Sequence, residues 1–200
     1  MAGIKRIFNT LIELAAAAVF ILPLWCVYNK LYFRSWKRTG VYLIFGFYLT
    51  AVLALVGFPS ITLLNLDPRV NLIPFVYMLP DLGNACLNLL LFVPLGLFLP
   101  TLWKEFRSMK QSLIAGLATT AFIELSQLFT GRATDIDDMI TNCVGTVIGY
   151  WIARWVTSRF TKRVLPDPPI RDFYLICGSV GLIMFVVQPF VSSLLWALIL

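Results

Sequence analysis

The sequence predicts an all-α protein, a polytopic bundle of about six transmembrane helices. Apolar residues make up 60% of its 200 residues and charged residues only 13%, with a mean hydropathy of +0.85. A soluble domain is closer to half apolar and a quarter charged. A soluble chain this apolar would expose large apolar patches, whereas a bilayer solvates them. The length suits a single membrane domain, residues 1–200.

Each predicted span is a mostly apolar stretch of about 20 residues, the length that crosses a bilayer. The six stretches are residues 7–28, 40–58, 82–100, 112–129, 136–156 and 173–199. The first span is open to a second interpretation, as a helix in the membrane interface, which would leave five.

The segment between the second and third spans, residues 60–80, is too apolar for an ordinary loop. Pro68, Pro74 and Pro80 also break it too often for a full span. We predict a re-entrant or interfacial segment on the outer face. Non-helical backbone at membrane depth needs polar partners, so this segment is expected to pack against something polar.

The distribution of Lys and Arg predicts the orientation. Twelve basic residues fall after the first, third and fifth spans and four fall elsewhere. Basic loops stay in the cytoplasm, so both termini are predicted outside. Basic residues placed between apolar runs do not form a nucleic-acid surface. The chain also has no histidine, which removes His-based catalysis and the usual zinc ligands.

Three predicted spans carry polar side chains at helical spacing, which places them on one face of each helix. The third span has Asp81, Asn84 and Asn88, the fourth has Thr120, Glu124 and Gln127, and the fifth has Asp135, Asp138 and Asn142. The predicted topology puts all three stripes near the outer ends of their helices. Because exposing a carboxylate to lipid is costly, the stripes are expected to face one another or a wet cavity.

Both a packing and a functional interpretation fit these stripes. Amide side chains often join membrane helices, and Gly145-x-x-x-Gly149 is typical of close helix packing. Intramembrane carboxylates are more often functional, and Glu13 in the first span is ambiguous. Glu124 fits four roles: a neutral donor, a partner of Arg132, a proton carrier or a ligand of Mg²⁺ or Ca²⁺.

Several separate motifs agree in order and spacing with a known family. They are Asn71-Leu-Ile-Pro-Phe75, Asn84-x-x-x-Asn88-Leu-Leu-Leu-Phe-Val-Pro94-Leu-Gly96, Glu124-Leu-Ser-Gln127-Leu-Phe-Thr-Gly-Arg132-Ala-Thr-Asp135-Ile-Asp137-Asp138 and Asn142-Cys-Val-Gly145-Thr-Val-Ile-Gly149-Tyr. In these motifs residues 40–155 resemble the VanZ-like family of bacterial membrane proteins, with residues 1–39 and 156–200 as accessory spans and connectors. The resemblance implies a multi-pass protein of the bacterial cell membrane. It also implies a link to reduced susceptibility to teicoplanin, a glycopeptide antibiotic with a lipid tail.

The leading functional prediction is an outer-leaflet polar cavity that binds an amphiphilic or lipid-linked cell-envelope molecule, with or without moving it between leaflets. The predicted ligand-binding residues are Asn71, Asn84, Asn88, Glu124, Gln127, Arg132, Asp135, Asp138 and Asn142. Membrane lipids are expected partners, and no cofactor or resident metal is assigned. One alternative is an intramembrane metal-dependent enzyme acting on a lipid phosphate, although the residues favour a protein that is not an enzyme. A second alternative is a non-catalytic scaffold for other envelope proteins.

Overall fold

The computed structural model describes the backbone of residues 2–62, 64–66, 69–75, 80–160 and 167–199. It divides into two compact units. One comprises Met1–Leu64 with Arg171–Leu200, and the other comprises Asn65–Ile170. We refer to them as the terminal unit and the central unit.

The terminal unit is built from long apolar helices. α1 (Ala2–Tyr28) continues into a π-helical turn, Asn29–Phe33, and is followed by α2 (Trp36–Val56). Near the C-terminus, α6 (Ile170–Leu182), a second π-helical turn (Ile183–Val187) and α7 (Gln188–Ile199) form one helical stretch.

A side-chain cap fixes the tight connection between α1 and α2. The buried Asn29 Oδ1 accepts hydrogen bonds from Ser35 N and Thr39 Oγ1, both at 2.9 Å. Ser35 in turn caps α2, and its side chain accepts from Arg38 N. Arg34 completes the turn in the left-handed region at φ 50°. These bonds occupy polar groups that would otherwise be unpaired at the helix ends.

The central unit contains three helices and two short strands. They are β1 (Arg69–Asn71), α3 (Leu82–Leu102), α4 (Met109–Gln127), β2 (Ala133–Asp135) and α5 (Ile136–Phe160). Asp81 caps α3 and Ser108 caps α4, each accepting a backbone N–H three residues further on. A 3₁₀ turn, Lys104–Phe106, joins the two helices.

Glycines set the packing of α5 against α3. A Cβ added at Gly145 would overlap the carbonyl of Leu89, and one at Gly149 would overlap the carbonyl of Val93. From the other side, a Cβ at Gly96 would overlap the carbonyl of Thr146. The two backbones therefore touch directly, which confirms the packing interpretation of Gly145 and Gly149.

Four helical stretches are long and apolar enough to cross a membrane, judged by length and composition among the described residues. They are Phe8–Phe33, Trp36–Val56, Leu82–Leu102 and Ile170–Leu198. They correspond to the first, second, third and sixth predicted spans, and the all-α membrane bundle is confirmed. The predicted fourth and fifth spans form α4 and α5, whose polar stripes lower their hydropathy, so their status as spans stays a prediction.

The segment predicted as re-entrant or interfacial contains a strand, which the sequence did not predict. Residues 69–71 pair in parallel with residues 133–135, in the register Arg69–Ala133, Val70–Thr134 and Asn71–Asp135. Large apolar side chains on both sides of this strand are exposed, among them Leu66, Leu72 and Ile73. Pro68, on which the prediction partly rested, lies outside the described residues.

Candidate functional site

All nine predicted ligand-binding residues belong to the central unit, where α3, α4 and the start of α5 meet β1 and β2. The contacts described below join most of them. We call six of these residues the polar cluster: Asn88, Glu124, Arg132, Asp135, Asp138 and Asn142.

Glu124 ties α4 to the strand that precedes α5. Its side chain is only 2% exposed, and Oε2 accepts a hydrogen bond from Asp135 N at 2.9 Å. The Glu124 carbonyl accepts from Thr134 Oγ1 at 2.9 Å. Because a buried carboxylate needs hydrogen bonds, these contacts fix β2 beside the last turns of α4.

Asp135 joins the two strands through its side chain. Its Oδ1 accepts from Asn71 Nδ2 and from Asp137 N, both at 2.9 Å. The first bond connects the ends of β1 and β2, and the second shapes the start of α5. Asn71 therefore reaches the polar cluster from a segment more than 50 residues away in the chain.

Asp138 brings a carboxylate of α5 to the cluster. It lies half-buried on the first turn of α5, where the Asn88 side chain of α3 and the Arg132 guanidinium act on it electrostatically. Arg132 acts in the same way on Glu124. One guanidinium thus interacts electrostatically with two carboxylates from two helices.

Asn142 lies one helical turn beyond Asp138 and is 3% exposed. Its Nδ2 donates to Thr120 Oγ1 at 2.9 Å, and Thr120 lies one turn before Glu124 on α4. The Asn142 amide therefore lies between α4 and α5, beneath the level of Glu124 and Asp138. Its Oδ1 is buried and accepts no hydrogen bond from the described residues.

Two predicted site residues lie at the edge of the cluster. Asn84 donates its backbone N–H to Asp81 at the start of α3. Gln127 is buried near the end of α4, where its carbonyl accepts from Thr130 N and Oγ1 at 3.0 and 3.1 Å. These contacts satisfy backbone groups at the helix ends.

Asp137 is the residue that sequence reasoning left out of the site. It is 3% exposed, and its Oδ1 accepts from Phe75 N at 2.6 Å. Phe75 has φ 68°, a conformation that costs energy for a residue with a Cβ. The run Asp135-Ile-Asp137-Asp138 at a helix start contained the signal, but the partner in residues 71–75 could not be located from sequence.

We predict that Asp137→Ala releases the segment that carries Asn71. The substitution removes the hydrogen bond that the strained Phe75 N–H donates to a charged carboxylate, which is worth about 1.5–3 kcal/mol. Amide hydrogen exchange of a peptide covering residues 69–75 should therefore quicken by roughly tenfold or more. Asp167→Ala, at an exposed carboxylate, is the matched control. Unchanged exchange in the Asp137 variant would contradict this role.

The cluster as a whole is acidic. Its acidic side chains are those of Glu124, Asp135 and Asp138, with Asp137 beside them. Its basic side chain is that of Arg132. The Asp135 and Asp137 carboxylates hold the strand segment in place, whereas Glu124, Asp138 and Asn142 retain acceptor capacity. Among the described residues, no group of three or more His, Cys, Asp or Glu side chains is arranged to hold a metal ion. The arrangement is suited to hydrogen-bond donors and positive charge on one side and to an anion at Arg132.

Comparison with curated proteins returned no match, and comparison with solved structures returned none either. The VanZ/LLP1 family model matches residues 40–157. This match covers more than half of the chain and confirms the resemblance that the motifs between residues 40 and 155 indicated. It includes every residue of the polar cluster and both strands. The chain therefore belongs to the VanZ/LLP1 family.

Proposed function

We propose that the polar cluster binds the head group of an amphiphilic or lipid-linked cell-envelope molecule from the outer leaflet, and that this binding lowers susceptibility to teicoplanin. The observation that carries the proposal is the convergence of acceptors and donors from three helices at one place. The acceptors are Glu124, Asp138 and Asn142 Oδ1, and the donors are Arg132 and Asn88.

Incomplete internal pairing supports binding over a purely structural role. Asp135 and Asp137 have backbone or side-chain donors within the segment that they fix. Asn142 Oδ1, by contrast, is a buried acceptor without a donor among the described residues. Since leaving a buried polar group unsatisfied is costly, a bound donor at this position is favoured.

The surroundings suit an amphiphile. Exposed apolar side chains of the β1 segment, including Leu72, Ile73 and Phe75, lie close in sequence to Asn71, which contacts Asp135. An acyl chain placed along such a surface would stay in lipid while its head group reaches the carboxylates. The positive-inside pattern predicts that these residues lie on the outer side. Movement of the molecule between leaflets would be an extension of the same binding step.

Three single substitutions test the proposal: Glu124→Gln, Asp138→Asn and Arg132→Gln. Each removes one charge, and the first two leave the shape of the side chain nearly unchanged. The loss of one charge-assisted hydrogen bond should weaken head-group binding by about tenfold or more. We expect each variant to lose most of the teicoplanin tolerance that the wild-type chain confers on a susceptible bacterial host.

The control is Arg154→Gln, at an exposed arginine that lies over the Trp151 ring, 5.8 Å from its centroid. It removes the same charge as Arg132→Gln outside the cluster and should retain full tolerance. Immunoblotting of membranes measures the abundance of each variant, so that tolerance is compared at equal abundance. Full tolerance in all three cluster variants at wild-type abundance would refute the proposal.

A further inference from the structure

We infer that the head group taken by the polar cluster is zwitterionic, with a primary ammonium held by Glu124, Asp138 and Asn142 and an anionic group held by Arg132 and Asn88. This inference rests on the proposed function and adds the chemical class of the ligand. Ethanolamine phosphate is the simplest head group of this class.

The acidic side chains of the cluster favour a cation on the carboxylate side. Glu124 receives one backbone N–H on Oε2 and is 2% exposed, so its negative charge has little access to water. Asp138 lies within electrostatic reach of Asp135 and Asp137, which increases the repulsion. Arg132 is shared between Glu124 and Asp138. A second positive charge placed between the two helices would relieve this repulsion.

Asn142 indicates, independently of charge, that this cation is a hydrogen-bond donor. Its Oδ1 is buried beneath the carboxylates, in a residue 3% exposed, and receives no donor from the described residues. A primary ammonium carries three N–H donors. It can therefore serve the two carboxylates and this amide oxygen together.

The alternative cations fit the cluster less well. A quaternary ammonium has no N–H and is bound in proteins by aromatic faces. The polar cluster consists of carboxylates, amides and a guanidinium.

The anionic half of the ligand is inferred from the donors beside this site. A guanidinium such as that of Arg132 matches the geometry of phosphate, and Asn88 Nδ2 is a buried donor beside Asp138.

A series of N-methylated lipids tests the assignment on the purified full-length protein. The probes are dioleoyl phosphatidylethanolamine, its N-methyl and N,N-dimethyl derivatives and dioleoyl phosphatidylcholine, measured by native mass spectrometry in detergent. Charge and phosphate stay constant along this series, while N–H donors are lost one at a time. We expect affinity to fall stepwise, by about tenfold from the first member to the last.

Substitutions separate the two halves of the head group. Asp138→Asn and Asn142→Leu should make the affinities of the first and last lipids equal. Arg132→Gln should weaken all four lipids by the same factor, because each carries a phosphate. Asp167→Asn, at an exposed residue outside the cluster, should keep the full series.

Competition with soluble phosphoethanolamine identifies the source of the ammonium. Displacement only by the diacyl lipid assigns the site to a membrane lipid. Displacement at similar concentrations by the solute assigns it to a free amine phosphate. Both results retain the ammonium assignment.

Equal binding of phosphatidylethanolamine and phosphatidylcholine to the wild-type protein would overturn the ammonium assignment. Tighter binding of phosphatidylglycerol, which is anionic and lacks an amine, would overturn it as well. Either outcome leaves the proposed function standing, since an amphiphile still binds. Failure of the proposed function has its own signature, namely unchanged teicoplanin tolerance in the cluster variants.

Discussion

Replacing Gly149 by leucine is expected to prevent stable packing of α3 against α5. A Cβ at this position already overlaps the Val93 carbonyl, which is backbone and has no rotamer through which to move away. The two helices must separate, and the loss of stability should be at least about 3 kcal/mol, the upper range for overpacked cores. Thermal unfolding in detergent, followed by tryptophan fluorescence, should show a large fall in Tm or no folded protein.

Gly178→Leu is the matched control for this experiment. Gly178 also lies inside a helix, but nothing lies within 4 Å of a Cβ added there. Its Tm should stay close to that of the wild type. Gly149→Ala should fall between the two. A wild-type Tm for Gly149→Leu would show that α3 and α5 do not meet through this glycine.

Asp172→Ala is expected to cost about 3 kcal/mol or more, because it takes the carboxylate away from the largely buried Arg38 guanidinium. Asp172 is 0% exposed and lies in the first turn of α6, where a carboxylate is also favoured by the helix dipole. Its Oδ2 accepts from Tyr42 Oη at 3.0 Å and lies 4.0 Å from Arg38 Nη1, whose side chain is 16% exposed. Arg171 Nη2 is 3.6 Å from Oδ1.

Two further substitutions check the cause of this loss. Asp167→Ala removes a carboxylate paired with Arg107, but both side chains are nearly half exposed, so its effect should stay within about 1 kcal/mol. Tyr42→Phe removes the hydrogen bond that Tyr42 donates to Asp172 and should cost about 1–2 kcal/mol. Chemical or thermal unfolding of the purified variants gives the comparison. Equal stability of Asp172→Ala and Asp167→Ala would contradict the buried ion cluster.

The sequence predicted the helices well because their signal is local. Apolar stretches of sufficient length located α1, α2, α3 and the α6–α7 stretch, all of which meet the criteria for a membrane span. Helical spacing likewise placed Asn88, Glu124 and Asp138 on faces that converge. These predictions depend only on the period of the helix and on the hydropathy of neighbouring residues.

Contacts between distant segments could not be predicted from the sequence. The β1–β2 pair joins residues more than 60 positions apart, and three residues are too few for a recognisable strand pattern. In the sequence, Asp137 cannot be distinguished from its acidic neighbours. Its role depends on the hydrogen bond from Phe75 N, which only the structure shows. Arg38 and Arg171 belong to the basic residues that predict the orientation. The sequence does not indicate that both lie beside the buried Asp172.

The sequence by itself determined the class of the protein, its family and the residue types of its site, because composition, helical period and motif order are properties of one stretch of chain. Only the tertiary structure decided how the acidic residues divide their work. Asp135 and Asp137 bind the β1 segment, while Glu124, Asp138 and Asn142 carry the acceptors that the proposed function assigns to a ligand. The reason is that a carboxylate's role depends on which donors lie beside it. Here several of these donors come from segments far away in the chain.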